Sequence, residues 1–132
     1  MNEIEQRFLQ DFVIKDKRDR LSYELGGKKR RDGIGRFCHH AQDLLIQERI
    51  AAKGRLSTDE IRALVKEHRI TGEWYCIAYD QELDARYFSL DDVLQQVIGN
   101  GMAAILIGGN MAIVETEQEY GTPMRYVLCW EK

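Results

Sequence analysis

The run GGKKRRDGIGRFCHH, Gly26 to His40, holds the densest reactive chemistry in the chain: four consecutive cations, four glycines, a thiol and two imidazoles. Glycine-rich backbone at the start of a helix can hold an anion, because its free N–H groups complement negative charge. The spacing matches neither common phosphate fingerprint, since no lysine followed by Ser or Thr closes a P-loop and no strand precedes the glycines. What remains is a basic segment, Lys28, Lys29, Arg30, Arg31 and Arg36, as a candidate for anion or nucleic-acid binding. Lys28 and Lys29 follow the end of one helix, where the helix dipole favours cations. Arg30 and Arg31 precede Asp32, the expected N-cap of the next helix, where the dipole opposes each by roughly 0.3 to 1 kcal/mol. Their position asks for a compensating partner: solvent, a carboxylate or a ligand.

Cys38, His39 and His40 suggest a metal or thiol centre, but consecutive helical side chains diverge by about 100°, so three neighbours do not converge on one ion. Cys38 falls on the apolar stripe, which disfavours the thiolate and argues for packing rather than nucleophilic attack. His68 shares a stripe with Ile61, Leu64 and Val65 and reads as a residue at the edge of the core. No catalytic residue, metal or cofactor is expected from these patterns.

The third constellation is acidic. Glu115, Glu117 and Glu119 alternate along a strand and would share one side of it, with Arg125 on the next strand placed to neutralise one of them. Together with Asp80, Glu82 and Asp84 they form the surface expected to receive a basic protein partner. Residues 1 to 70 carry 16 Lys and Arg against 12 Asp and Glu, and the remainder 3 against 10, so a net charge of −3 hides oppositely charged halves. Such a dipolar surface steers charged partners.

The elements that would position these groups follow from periodicity. Asn2 with Glu5 signals a helix start, followed by Ile4, Phe8, Leu9, Phe12 and Val13 at helical spacing. Lys15 to Leu25 continues that helix or forms a second. Ile34, Phe37, Cys38, Ala41, Leu44 and Leu45 define one further helix, and Ser57 with Glu60 opens another after a connection over Ala51 to Leu56. Beyond Gly72 the texture turns aromatic and β-branched. Trp74 to Tyr79 and Ala85 to Phe88 read as a hairpin, Ser89 and Asp92 start a helix, and Met102 to Ile107, Met111 to Glu117 and Met124 to Trp130 complete a meander. The expected fold is a single α+β domain over 1–132, with a helical half (1–72) packed on a mainly antiparallel sheet of about five strands (73–132) and one inserted helix.

At 132 residues, 44% hydrophobic and 31% charged, the chain is long enough for one core. Its longest apolar run is too short to span a bilayer, its first residues are acidic and polar, and its three cysteines lack disulfide-framework spacing. Cytoplasmic residence with reduced thiols is expected, with no membrane partner. The function expected is that of a small binding or regulatory protein acting by charge complementarity to a protein partner. The alternative is a nucleic-acid or phosphate-ligand binder through the 28–36 segment, and the third reading is an enzyme with an unrecognised site. An exposed sheet edge leaves homodimerisation open.

Overall fold

The computed structural model describes residues 1–117 and 120–130. Helix α1 (Glu3–Phe12) starts where Asn2 accepts a hydrogen bond from the Glu5 N–H, and it turns Phe8, Leu9 and Phe12 inward. The chain turns at Val13 and Ile14, so Lys15–Leu25 is a separate helix, α2, with Leu21 and Leu25 buried. Helix α3 (Arg30–His39) buries Ile34 and Phe37. The rings of Phe8, Phe12 and Phe37 gather at centroid separations of 5.9 and 6.0 Å, fastening α1 to α3.

Two boundaries differ from the sequence reading. Helix α3 begins two residues before Asp32, which lies in its first turn, so Arg30 and Arg31 belong to the helix. The helical pattern through Leu45 breaks at His40, leaving a short α4 (Ala41–Leu44) whose buried Ala41 and Leu44 preserve the stripe across the break.

A 3₁₀ turn (Gln47–Arg49) leads into β1 (Ile50–Gly54), a sixth strand where only a connection was expected. Ile-Ala-Ala-Lys-Gly has little strand propensity of its own. It is a strand because it pairs antiparallel with β6 (Arg125–Cys129) at the sheet edge. Helix α5 (Thr58–Glu67) carries the full capping box of Ser57 and Glu60. Then come β2 (Trp74–Ala78), β3 (Arg86–Phe88), α6 (Leu90–Asp92) running into a π turn (Val93–Val97), β4 (Ala104–Gly108) and β5 (Met111–Glu115).

Among the described residues the sheet has six strands in the order β1-β6-β5-β4-β2-β3, each neighbouring pair antiparallel. Strands β2, β5 and β6 are buried at every residue, which needs cover on both faces. Tyr75, Ile77, Ile105, Ala112, Val114 and Leu128 face the layer of α1 to α4. Trp74, Cys76, Leu106, Met111, Ile113 and Val127 face α5 and the π turn, through Ile61, Val65, Val93 and Val97. The α+β architecture is thus a sheet between two helical layers, with the N-terminal helices forming the larger one.

Each layer contains one tryptophan. Trp74 lies so close to Gly108 that a β-carbon there would sit 2.5 Å from the indole, and only glycine permits that contact. Trp130 packs against the other core, with the Arg49 guanidinium 3.5 Å from its ring centroid. No helix among the described residues is long and apolar enough to cross a membrane.

Candidate functional site

The basic segment does not act as one patch. Arg30 turns inward: its Nη1 and Nη2 donate to the two Glu5 carboxylate oxygens at 2.7 and 2.8 Å. Its Nε and Nη2 donate to Asp84 at 2.6 and 3.0 Å, and Nη1 also reaches the Leu25 carbonyl. Tyr75 donates its hydroxyl to Glu5 at 2.6 Å, and the Ala78 N–H donates to Asp84. One guanidinium thus ties α1, the end of α2 and the β2–β3 loop together. The two carboxylates hold the Arg30 pKa far above its ordinary value. Burial, reinforced by the hydrogen bond to Glu5, raises that of Tyr75. The compensating partner that the dipole argument demanded for Arg30 is this carboxylate pair, 25 and 54 residues away in sequence.

Arg31 is exposed and lies over the Tyr79 ring at 4.1 Å. Lys28 and Lys29 face solvent at the α2–α3 turn. Arg36 donates through Nε and Nη2 to Glu24 at 2.7 and 2.8 Å. Those hydrogen bonds lower the Glu24 carboxyl pKa and raise that of Arg36.

The acidic positions also divide. Glu115 has no exposed surface: it accepts from Arg125 Nε at 2.8 Å and from the Gly99 N–H, while Arg125 Nη1 donates to the Leu56 carbonyl. Gly99 delivers that N–H from φ 86°, where a side chain would be strained. Burial raises the Glu115 pKa, opposed by Gly99 and Arg125. Strand pairing places Glu115 directly opposite Arg125, the neutralising neighbour anticipated from sequence. Asp84 is spent on Arg30, so neither Asp84 nor Glu115 presents its charge to a partner. Glu82 is exposed and Asp80 half-buried, its side chain accepting from the Glu82 N–H. Glu117 is exposed beside His39, whose Nε2 lies 3.0 Å from a Glu117 carboxylate oxygen. Glu119 lies outside the described residues.

Cys38 is half-buried rather than central to the core, and burial raises its thiol pKa, with the Ala103 backbone partly offsetting this and Glu117 adding to it. That shift disfavours the thiolate, the nucleophilic form of the side chain. Cys76 is pushed up to about 12, chiefly by burial. His68 caps α5 at the core edge with Nδ1 3.5 Å from Cys129 Sγ. No three His, Cys, Asp or Glu side chains gather as metal ligands among the described residues.

What the sequence did not reveal is a place where the two halves meet. Cys38, His39 and Glu117 line two adjoining depressions at one end of the sheet. The larger, about 420 Å³, continues to Arg55, Tyr120 and Met124, and the smaller, about 310 Å³, to Tyr79 and Met102. Met102, Tyr120 and Met124 are 44, 85 and 37% exposed, half of the six large apolar side chains the described surface leaves in water. Their isolated spacing in sequence carries no signal; only folding collects them. No protein-family model, curated protein or solved structure matches this chain.

Proposed function

We propose that the chain is a small cytosolic binding or regulatory protein that docks a protein partner across the surface formed by Cys38, His39, Glu117, Met102, Tyr120 and Met124. The observation that carries this reading is the gathering of exposed Tyr and Met around two adjoining depressions. Docking surfaces are enriched in these residue types, and large apolar side chains in water gain from being covered. Glu117 on the wall, with Asp80 and Glu82 on the same acidic half of the chain, favours a partner that brings an apolar anchor flanked by Lys or Arg. Arg55, whose Nη1 donates to the Tyr120 carbonyl, also lines the larger depression.

The test begins with co-purification from the native source, followed by direct titration of the recovered partner. Tyr120→Ala combined with Met124→Ala is expected to weaken binding by about 30-fold, near 2 kcal/mol, as for a central anchor. The thermal midpoint should stay unchanged because both side chains are at the surface. A partner that binds the double variant and an Asp80→Lys/Glu82→Lys variant as tightly as the parent would sink the proposal. Recovery of nucleic acid alone, released by salt and lost on replacing Lys28 and Lys29, would transfer the function to the basic segment.

A further inference from the structure

Away from the docking surface, a smaller cavity of about 180 Å³ lies between α2 and the α3–α4 corner. Leu21 and Leu44 contribute its apolar lining, and Lys17, Arg20, Arg36 and His40 its cationic groups. Asp43 is the one carboxylate that lines it among the described residues. Glu24 lies 3.9 Å from Arg20 Nε and is already engaged by Arg36.

The feature that makes this more than a solvated charged face is how Arg36 is held. Glu24, with a side chain only 6% exposed, accepts from Arg36 Nε and Nη2 and so fixes the guanidinium plane. The Nη1 donors have no protein acceptor among the described residues, although Arg36 is part of the cavity lining. A guanidinium locked by a buried carboxylate, with donors left over, is preorganised for a second anion. Lys17 and Arg20, on successive turns of α2, add mobile cations that can close over the same ligand.

We infer that this cavity is a binding site for a small phosphate monoester, its phosphate on Arg36, Arg20 and Lys17 and its organic part against the aliphatic stems of those cations and the edges of Leu21 and Leu44 at the cavity floor. The volume suits a phosphate with a short carbon chain rather than a nucleotide. The site is independent of the docking surface, and of the segment singled out by sequence it uses Arg36 alone.

The test is an NMR titration of the full chain at constant ionic strength with inorganic phosphate and, separately, n-propyl phosphate, following the backbone amides of Arg36 and His40. Saturable shifts with a millimolar dissociation constant are expected, n-propyl phosphate binding more tightly than inorganic phosphate because its alkyl chain meets the apolar lining. Lys17→Gln with Arg20→Gln is expected to weaken binding by about tenfold or more while leaving the thermal midpoint in place. Lys28→Gln with Lys29→Gln should change nothing. Shifts that remain linear to about 20 mM ligand would overturn the inference. So would affinity equal in the parent and the Lys17/Arg20 variant, or lost equally in both double variants, since the latter would reveal a diffuse cationic surface.

Discussion

The two faces of the sheet each hold a buried ionic cluster, and the clusters solve the same problem differently. On the face covered by α1 to α4, Arg30 is shared by Glu5 and Asp84, a tyrosine hydroxyl and a backbone N–H donate to the same two carboxylates, and the Arg30 side chain is 22% exposed. On the other face, Arg125 and Glu115 are a single pair with 6 and 0% of their side chains exposed. There burial outweighs the partner, and the Glu115 pKa is raised. Each carboxylate accepts three hydrogen bonds, so the contrast teaches that residual water, rather than the number of hydrogen bonds, sets how large a burial penalty an ion pair must offset.

The largest effect should come from orphaning the drier cluster. Arg125→Met leaves Glu115 without its cation and is expected to lose about 3 to 5 kcal/mol in urea unfolding. Adding Glu115→Gln, which keeps an acceptor for the Gly99 N–H, should recover most of that loss. If the double variant is no more stable than Arg125→Met alone, the pair is stabilising in its own right and the contrast fails.

Arg30→Met should cost somewhat less, about 2 to 3 kcal/mol, because water can reach Asp84 after the cation is gone. Arg30→Lys should recover little, since an ammonium does not span two carboxylates as a fork does. Recovery to near the parent stability would show that charge rather than geometry matters on this face.

The mildest test is pH. The Glu115 pKa is raised by burial, so its contribution to stability is present at low pH and declines as pH rises from the ordinary carboxylate range through the folded value. Glu24, held low by the Arg36 hydrogen bonds, has the opposite sign: its contribution is present above the ordinary range and is lost as pH falls through the folded value. In stability profiles over about pH 3 to 8, Glu115→Gln should therefore remove a decline and Glu24→Gln should remove an acid-side loss. Identical profiles for the two variants would contradict both assignments.

Local chemistry made much of the fold legible. The Asn2 cap, the Ser57 and Glu60 box and the aromatic run from Trp74 all act within a few residues of themselves, and each element formed where its residues indicated. Strand β1 was invisible because its status comes from β6, more than 70 residues onward. The site was less legible for the same reason. Helix-dipole reasoning correctly marked Arg30 as needing a partner, yet Glu5 and Asp84 are far from it in sequence. The alternation of Glu115 with Glu117 suggested a shared face, whereas the strand ends at Glu115 and the chain then carries Glu117 toward His39.

The placement of one indole on each side of the sheet gives the molecule a built-in optical record of its own disassembly. Trp74, sealed against Gly108, should emit at short wavelength until the α5 layer opens, whereas Trp130, at the rim beneath Arg49, reports the other layer. Replacing either ring by phenylalanine would let the emission of the remaining one distinguish whether the two layers come apart together or in sequence.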